Sequence, residues 1–207
     1  SSIKPFLYYA ALQNGFTPIT TFYSTKTSFN IDGKLYEPQN YKDIYPNQDV
    51  TMLYALATSD NIYAVKTHLF LGTNTLVNTL KEFGFKSKIN NNASLALGTS
   101  EVNLKELVEG YSKFASLGKN VQTSCINKIV DINGKILYEA NTNFNQAFNK
   151  ENCYILTEAM TNIFDNNLSI NISVTGASLK SMISKKYAEK SGSTDTDNWM
   201  VGYNNNI

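Results

Sequence analysis

Apolar residues recur at helical spacing near the start of the chain, where Phe6, Leu7, Ala10 and Ala11 predict a helix over Ser1–Asn14. Pro5 falls in its first turn, where a missing N–H costs nothing, and Gly15 supplies a stop. The same period returns over Val50–Thr58, Ile62–Leu71, Thr75–Phe83, Asn103–Ser116 and Lys150–Phe164. Three of these stretches stop at or near a glycine: Gly72, Gly84 and Gly118. Leu95-Ala96-Leu97-Gly98 reads as a small-residue loop between two of the helices. Strand signals fall elsewhere. Ser28–Asn30 and Leu35–Tyr36 flank Asp32-Gly33, and Gln122–Asp131 and Ile136–Glu139 flank Asn133-Gly134. Both dipeptides suit a two-residue hairpin turn, whose central residues take positive φ. Tyr187–Ser193 and Asn198–Tyr203 form a last pair of strands around a polar turn at Thr194–Asp197. Asn40–Gln48 and Asp165–Lys180 are polar and loop-like, with Thr175-Gly176-Ala177 as a tight turn. No repeat and no Gly/Ser- or Pro-rich linker divides the chain.

Composition narrows the function classes. With 207 residues, 42% of them hydrophobic and 17% charged, the chain is large enough for a core and too apolar for disorder. A net charge of +1, from 18 basic and 17 acidic residues, gives no field that would draw it to nucleic acid. Every basic residue is Lys, which excludes a site built on a bidentate Arg fork. One His and two Cys cannot supply four protein ligands to zinc, so no metal is expected. The single His68 leaves no second histidine for a Ser-His-Asp or Cys-His pair, and is read as a packed or surface helix residue. Cys125 and Cys153 are expected as buried free thiols, a pairing in an oxidising compartment remaining open. No signal peptide is visible, and no run of 18 apolar residues suggests a membrane-spanning helix.

Three short motifs carry the chemistry: Ser1-Ser2-Ile3-Lys4 on a helix start, Ser59-Asp60-Asn61 between helices and Lys190-Ser191-Gly192 on a strand. Residues three apart share a helix face, so Ser1 Oγ and Lys4 Nζ are expected to meet. A serine hydroxyl attacks only when a base takes its proton. A lysine serves as that base when burial or a second cation lowers its pKa, and Lys190 could be that cation. Ser59 and Asn61 offer a hydroxyl to relay a proton and an amide to grip a substrate. The strand through Lys190-Ser191-Gly192-Ser193 offers an edge to an extended peptide, with Gly192 expected to let it come close. Each motif singly has a bland reading: a solvated lysine, a helix-capping turn, a strand end. Their order and placement together favour the chemical one.

In this order the three motifs are the signature of penicillin-binding proteins and class A β-lactamases. The chain resembles the transpeptidase domain of penicillin-binding proteins, of the bifunctional class A type, through SSIKPFLYYAAL, NYKDIYPNQDVTMLYALATSDNIYAVK, ALGTSEVNLKELVEGYSKFASLGK, KIVDINGKILYE and EKSGSTDTDNWMVGYNNN. Two departures are mild: Lys-Ser-Gly-Ser where Lys-Thr-Gly-Thr is usual, and Tyr63 where Pro is common. Both bear on substrate preference. The resemblance implies an α+β fold, a mostly antiparallel sheet flanked by helices with an all-helical lobe, and a nucleophile helix buried between them. It implies one transpeptidase domain over 1–207, truncated at both ends relative to the family and belonging to a larger protein, with the possibility of an upstream glycosyltransferase domain.

The activity implied is peptidoglycan D,D-transpeptidation at the extracytoplasmic face of the bacterial membrane, the anchor lying outside this chain. Ser1 would attack the D-Ala-D-Ala carbonyl of a stem peptide, and an amine of a neighbouring strand would resolve the acyl-enzyme. Lys4 would act as base, Ser59 would shuttle the proton and Lys190 would tune it. Asn61 would hold the substrate amide, and Ser191 and Ser193 its carboxylate and backbone. The N–H groups of Ser1 and Ser193 would form the oxyanion hole. β-Lactams would be covalent inhibitors, and no cofactor would be needed. A D,D-carboxypeptidase or β-lactamase, a β-lactam-sensing domain, an inactive relative and an N-terminal-nucleophile hydrolase are the alternatives. Glu189 precedes Lys190 in a strand and should face away from it, leaving no evident water-activating Glu. Asp195 and Asp197 are read as turn-shaping residues, and Trp199 as core or cleft wall.

Overall fold

The computed structural model describes residues 1–194 and 197–204. Among the described residues six α-helices carry the core: α1 (Lys4–Gln13), α2 (Met52–Thr58), α3 (Asn61–Leu71), α4 (Thr73–Glu82), α5 (Leu104–Ala115) and α6 (Lys150–Thr161). Eight strands accompany them: β1 (Thr21–Ser24), β2 (Phe29–Ile31), β3 (Lys34–Tyr36), β4 (Gln48–Thr51), β5 (Lys128–Val130), β6 (Ile136–Glu139), β7 (Ala188–Ser193) and β8 (Asn198–Tyr203). The strands pair antiparallel, as β1–β4, β2–β3, β5–β6 and β7–β8, so among the described residues they form four two-stranded pairs and not one broad sheet.

The α1 sequence predicts one apolar stripe, but every residue from Lys4 to Leu12 is buried. The helix runs through the middle of the molecule, packed against α2, α3, α4 and α6, so its Tyr8 and Tyr9 faces are enclosed as well. Phe6 meets Phe83, Phe85 and Tyr111 edge to face, with centroids 5.1–5.6 Å apart. Gly110 makes this possible, because a Cβ there would fall 2.7 Å from Phe6 Cζ.

Local chemistry sets several element ends. The helix read from Val50 begins at Met52: Val50 pairs with Phe22 in β4, and Thr51 caps α2 by accepting from Tyr54 N at 3.1 Å. Leu95–Gly98 is not open loop but the end of a 3-10 turn over Ala93–Leu97, closed at Gly98. The helix from Lys150 ends at Thr161 and continues to Phe164 as a 3-10 turn. Asp32-Gly33 joins β2 to β3 with positive φ at both residues. Asn133-Gly134, by contrast, is not a two-residue turn: residues 131–135 connect β5 to β6, Gly134 N–H donates to Asp131 O at 3.1 Å and only Gly134 of the pair has positive φ. The strands it joins are shorter than read, with a bulge at Ile129/Val130. That second ribbon lies on no helix layer, which leaves Ile129, Ile136, Leu137 and Tyr138 exposed. Both cysteines are free, but only Cys153 is buried; Cys125 is exposed in the segment before β5. Among the described residues no helix is long and apolar enough to cross a membrane. Asp195 lies outside the described residues.

Candidate active site

The three motifs meet at the N-terminal end of α1. Ser1 Oγ lies 2.9 Å from Ser59 Oγ, and Lys4 Nζ lies 3.3 Å from that same hydroxyl. The expected direct Ser1–Lys4 contact is replaced by this relay. Ser1 and Lys4 are joined by an i→i+3 turn ahead of α1, Lys4 N–H to Ser1 O at 3.1 Å, and both side chains turn to the same hydroxyl, Ser59 Oγ, instead of to each other. Ser59 is placed by strain: it ends α2 in the left-handed conformation, at φ 59°. Lys4 Nζ also donates to Ser59 O at 2.7 Å, Asp60 O at 3.2 Å and Asn61 Oδ1 at 2.6 Å.

Lys4 and Lys190 are both fully buried, and no ion pair among the described residues involves either. Burial, joined by the charge of Lys190, pushes the Lys4 ammonium well below the ordinary lysine value, with Asp60 pulling the other way. Burial lowers Lys190 to about 8 against an opposing pull from Glu189. Lys190 Nζ donates to Ser191 O at 2.7 Å. Alternation along β7 puts Glu189 on the face opposite Lys190, as expected, and burial raises its carboxyl pKa.

β7 closes the site from the other side. Thr194 N–H donates to Asp197 O at 2.8 Å, which fixes the phase of the β7–β8 ladder. In that phase the main-chain groups of Ser191 and Ser193 turn away from β8 toward an edge with no strand beside it among the described residues. The second expected oxyanion donor, the Ser1 nitrogen, carries a bond to Leu97 O at 2.8 Å. The space a Cβ on Gly192 would take is filled by Ser2, whose nitrogen would stand 2.9 Å from it, so the bareness of Gly192 seats the segment before α1 against β7. Gly98 does the same from the other wall, at φ +84° and with a hypothetical Cβ 2.7 Å from Ser1 N. Gly98→Ala is expected to lose about 1–3 kcal/mol of stability. Gly134→Ala has positive φ but open space and is expected to lose less. Urea unfolding of both variants measures the difference, and equal losses would show that the Ser1 contact adds nothing.

Residues 1–206 match the family model of the penicillin binding protein transpeptidase domain. The chain belongs to the penicillin-binding protein transpeptidase family. It is 46% identical over 206 residues to penicillin-binding protein 2D of Bacillus subtilis, covering 99% of this chain and 30% of that protein. It is 31% identical over 218 residues to penicillin-binding protein 1A of Neisseria flavescens, covering all of this chain and 26% of that protein. The chain thus spans less than a third of the length of these relatives. Its fold matches the crystal structure of penicillin-binding protein 1A from Haemophilus influenzae, with TM-score 0.88 and 24% identity over 98% of this chain and 35% of that one. It also matches penicillin-binding protein A of Mycobacterium tuberculosis in its imipenem acyl-enzyme complex, with TM-score 0.80 and 17% identity over 98% of this chain and 51% of that one.

In this transpeptidase domain several residues outside the three motifs hold them in place. Asp60, buried in the middle of its motif, accepts from Ser24 Oγ at 2.7 Å, Asn40 Nδ2 at 2.8 Å and Tyr63 N at 2.8 Å. Asn40 Oδ1 takes the N–H groups of Asn61 and Ile62 at 2.7 and 3.3 Å. The first three N–H groups of α3 are therefore satisfied by two side chains, one of them 21 residues upstream. Asn61 is held at both ends, its Oδ1 by Lys4 and its Nδ2 by Gln39 O at 2.7 Å. Nothing in the polar run at Asn40 singles it out in sequence; only the Asp before a helical period hints at a cap. Tyr63 points away from the site, its hydroxyl donating to Thr20 O at 2.7 Å. Trp199 is not core: it is 45% exposed and stands opposite Gly192 in β8. His68 is buried, its Nε2 3.1 Å from Asn92 O.

Proposed function

We propose that this chain is the acyl-transferring domain of a peptidoglycan D,D-transpeptidase, part of a larger protein that also carries the membrane anchor. The observation that supports it is the hydrogen-bonded series Ser1 Oγ, Ser59 Oγ, Lys4 Nζ, with a second buried lysine behind it. Lys4, poised toward its neutral form, takes the Ser1 proton as Ser1 Oγ attacks the penultimate D-Ala carbonyl. The C–N bond breaks, and the leaving D-Ala amine receives a proton through Ser59. An amine from a second stem peptide then attacks the ester and returns the proton to Ser1. Lys190 stays charged, holding Ser59 and Lys4 in their working protonation states. The donor peptide lies along the open edge of β7, with its carboxylate at Ser191 and Ser193 and its oxyanion at the N–H group of Ser193. Asn61 offers its remaining amide proton to the substrate, and Gly192 keeps α1 close enough for the attack. The work takes place on the cell-wall side of the membrane, and β-lactams occupy the same path.

Hydrolysis by a carboxypeptidase or β-lactamase needs an activated water. Glu189, the acidic side chain adjacent to the third motif, is buried on the far face of β7. The penicilloyl adduct is therefore expected to outlast a turnover by a wide margin. Acylating the protein with penicillin, removing excess drug and following the adduct by mass spectrometry measures its lifetime. Loss within seconds, with steady drug hydrolysis, would favour a β-lactamase. A long-lived adduct with cross-linked product from a stem peptide and an amine acceptor would support transpeptidation.

A further inference from the structure

The carbonyl of the residue after Ser1 is held by a group that belongs to none of the three motifs. At the start of α1, Lys4 N–H donates to Ser1 O at 3.1 Å and Phe6 N–H to Ile3 O at 3.1 Å. Pro5, between them, has no N–H to give. The Ser2 carbonyl is thereby left without a main-chain donor. Tyr111 Oη of α5 supplies one at 2.6 Å.

Tyr111 is placed for this task from several sides. It is 2% exposed, and its ring meets Phe6 edge to face at 5.6 Å. Gly110 beside it lets α5 close down on Phe6. Behind it stands Tyr203 of β8 at 6.4 Å, whose hydroxyl lies 2.8 Å from Thr157 Oγ1 on α6. Burial raises the Tyr111 phenol well above its ordinary pKa, so it remains a donor at any pH the enzyme meets. Across from it, Ser2 N packs on Gly192 of β7. Ser2 is thus gripped at its nitrogen by one element and at its carbonyl by another. The Ser1 side chain extends from the short link this grip controls, toward Ser59.

We propose that Tyr111 is a positioning residue for the nucleophile: its bond to the Ser2 carbonyl sets the approach of the Ser1 hydroxyl to Ser59. This rests on the reading of Ser1 as nucleophile. That reading is tested separately by labelling of the wild-type protein and loss of the label in Ser1→Ala. The bond acts on the chemical step and not on the first encounter with a ligand, because Tyr111 is buried away from the open edge of β7.

The experiment is stopped-flow acylation by a fluorescent penicillin over a range of concentrations, which separates the first-order acylation constant from the dissociation constant that precedes it. Tyr111→Phe keeps the ring and removes only the donor. It is expected to lower the acylation constant about tenfold or more, since small displacements of a reacting group cost that much. The dissociation constant should stay within about twofold. Thr157→Val, which breaks the bond at the far end of the same tyrosine wall, is the reference for loosened packing. It should lower the melting temperature and leave both constants unchanged. Wild-type acylation in Tyr111→Phe, or an equal slowing in Thr157→Val, would overturn the proposal.

Discussion

Ser1→Ala is expected to abolish covalent capture of penicillin. A β-lactam amide mimics the D-Ala-D-Ala carbonyl, and its opened ring stays tethered, so one stable adduct per protein molecule is the outcome in the wild type. Without the hydroxyl there is no atom to form the ester, and loss of a nucleophile lowers the chemical rate by roughly a millionfold in serine enzymes. The substitution removes one hydrogen bond, Ser1 Oγ to Ser59 Oγ, so stability should change by about 1 kcal/mol or less. The fold would therefore remain to be acylated elsewhere if another side chain were the nucleophile. Intact-mass spectrometry after exposure to penicillin distinguishes the cases: a full adduct on Ser1→Ala places the nucleophile at another residue.

The second large effect separates two lysines that look alike in sequence. Lys4→Arg should be nearly as damaging as Lys4→Ala, each lowering acylation by roughly 10²–10⁴-fold, the range of a lost general base. A guanidinium cannot give up its proton at working pH, and its fork does not fit a position where one nitrogen meets three carbonyl oxygens and a hydroxyl. Lys190→Arg keeps the charge and should stay within roughly tenfold of wild type. The pH profile carries the same division. Lys4 must be neutral to act, so acylation falls as pH drops through its lowered pKa. Lys190 must be charged, so acylation falls again as pH rises through about 8. In Lys190→Arg the alkaline fall should move to higher pH while the acid fall stays. Equal tolerance of Arg at both positions, or an alkaline limb unmoved by Lys190→Arg, would refute these roles.

Much of this was legible from the chain alone. The helical periods gave all six helices, because each carries enough apolar residues to mark a face or a fully buried rod. Asp-Gly and Asn-Gly marked two hairpins, because Asp32, Gly33 and Gly134 take the positive φ that those residue types favour, although Asn133 itself does not. What stayed hidden depends on tertiary context. Val50 and Thr51 fit a helical period, yet pairing with β1 draws them into a strand. The Ser1–Lys4 contact followed from helix spacing, and the spacing does put both on one side; what it could not show is Ser59, 58 residues away, whose hydroxyl both side chains meet in place of each other. Gly192 looked like room for a ligand and is instead the seat of Ser2, a contact between residues 190 apart that no local pattern encodes. Asn40 and Tyr111 sit in unremarkable surroundings, and their partners lie 20 and 109 residues away.

Those separations bear on when the site comes into being. Ser1 bonds across 58 residues to Ser59 and 96 to Leu97, and Ser2 across 109 to Tyr111. Another wall, β7 against Ser2, brings together residues 190 apart. Contacts of such long range are entropically costly to close and form late in folding. During synthesis the helices can collapse around α1 while the ribosome still holds β7 and β8. A nascent chain would then carry Ser1, Lys4 and Ser59 without the strand along whose open edge the substrate is proposed to lie. Reactivity toward a β-lactam is therefore expected only once β7 has docked against Ser2.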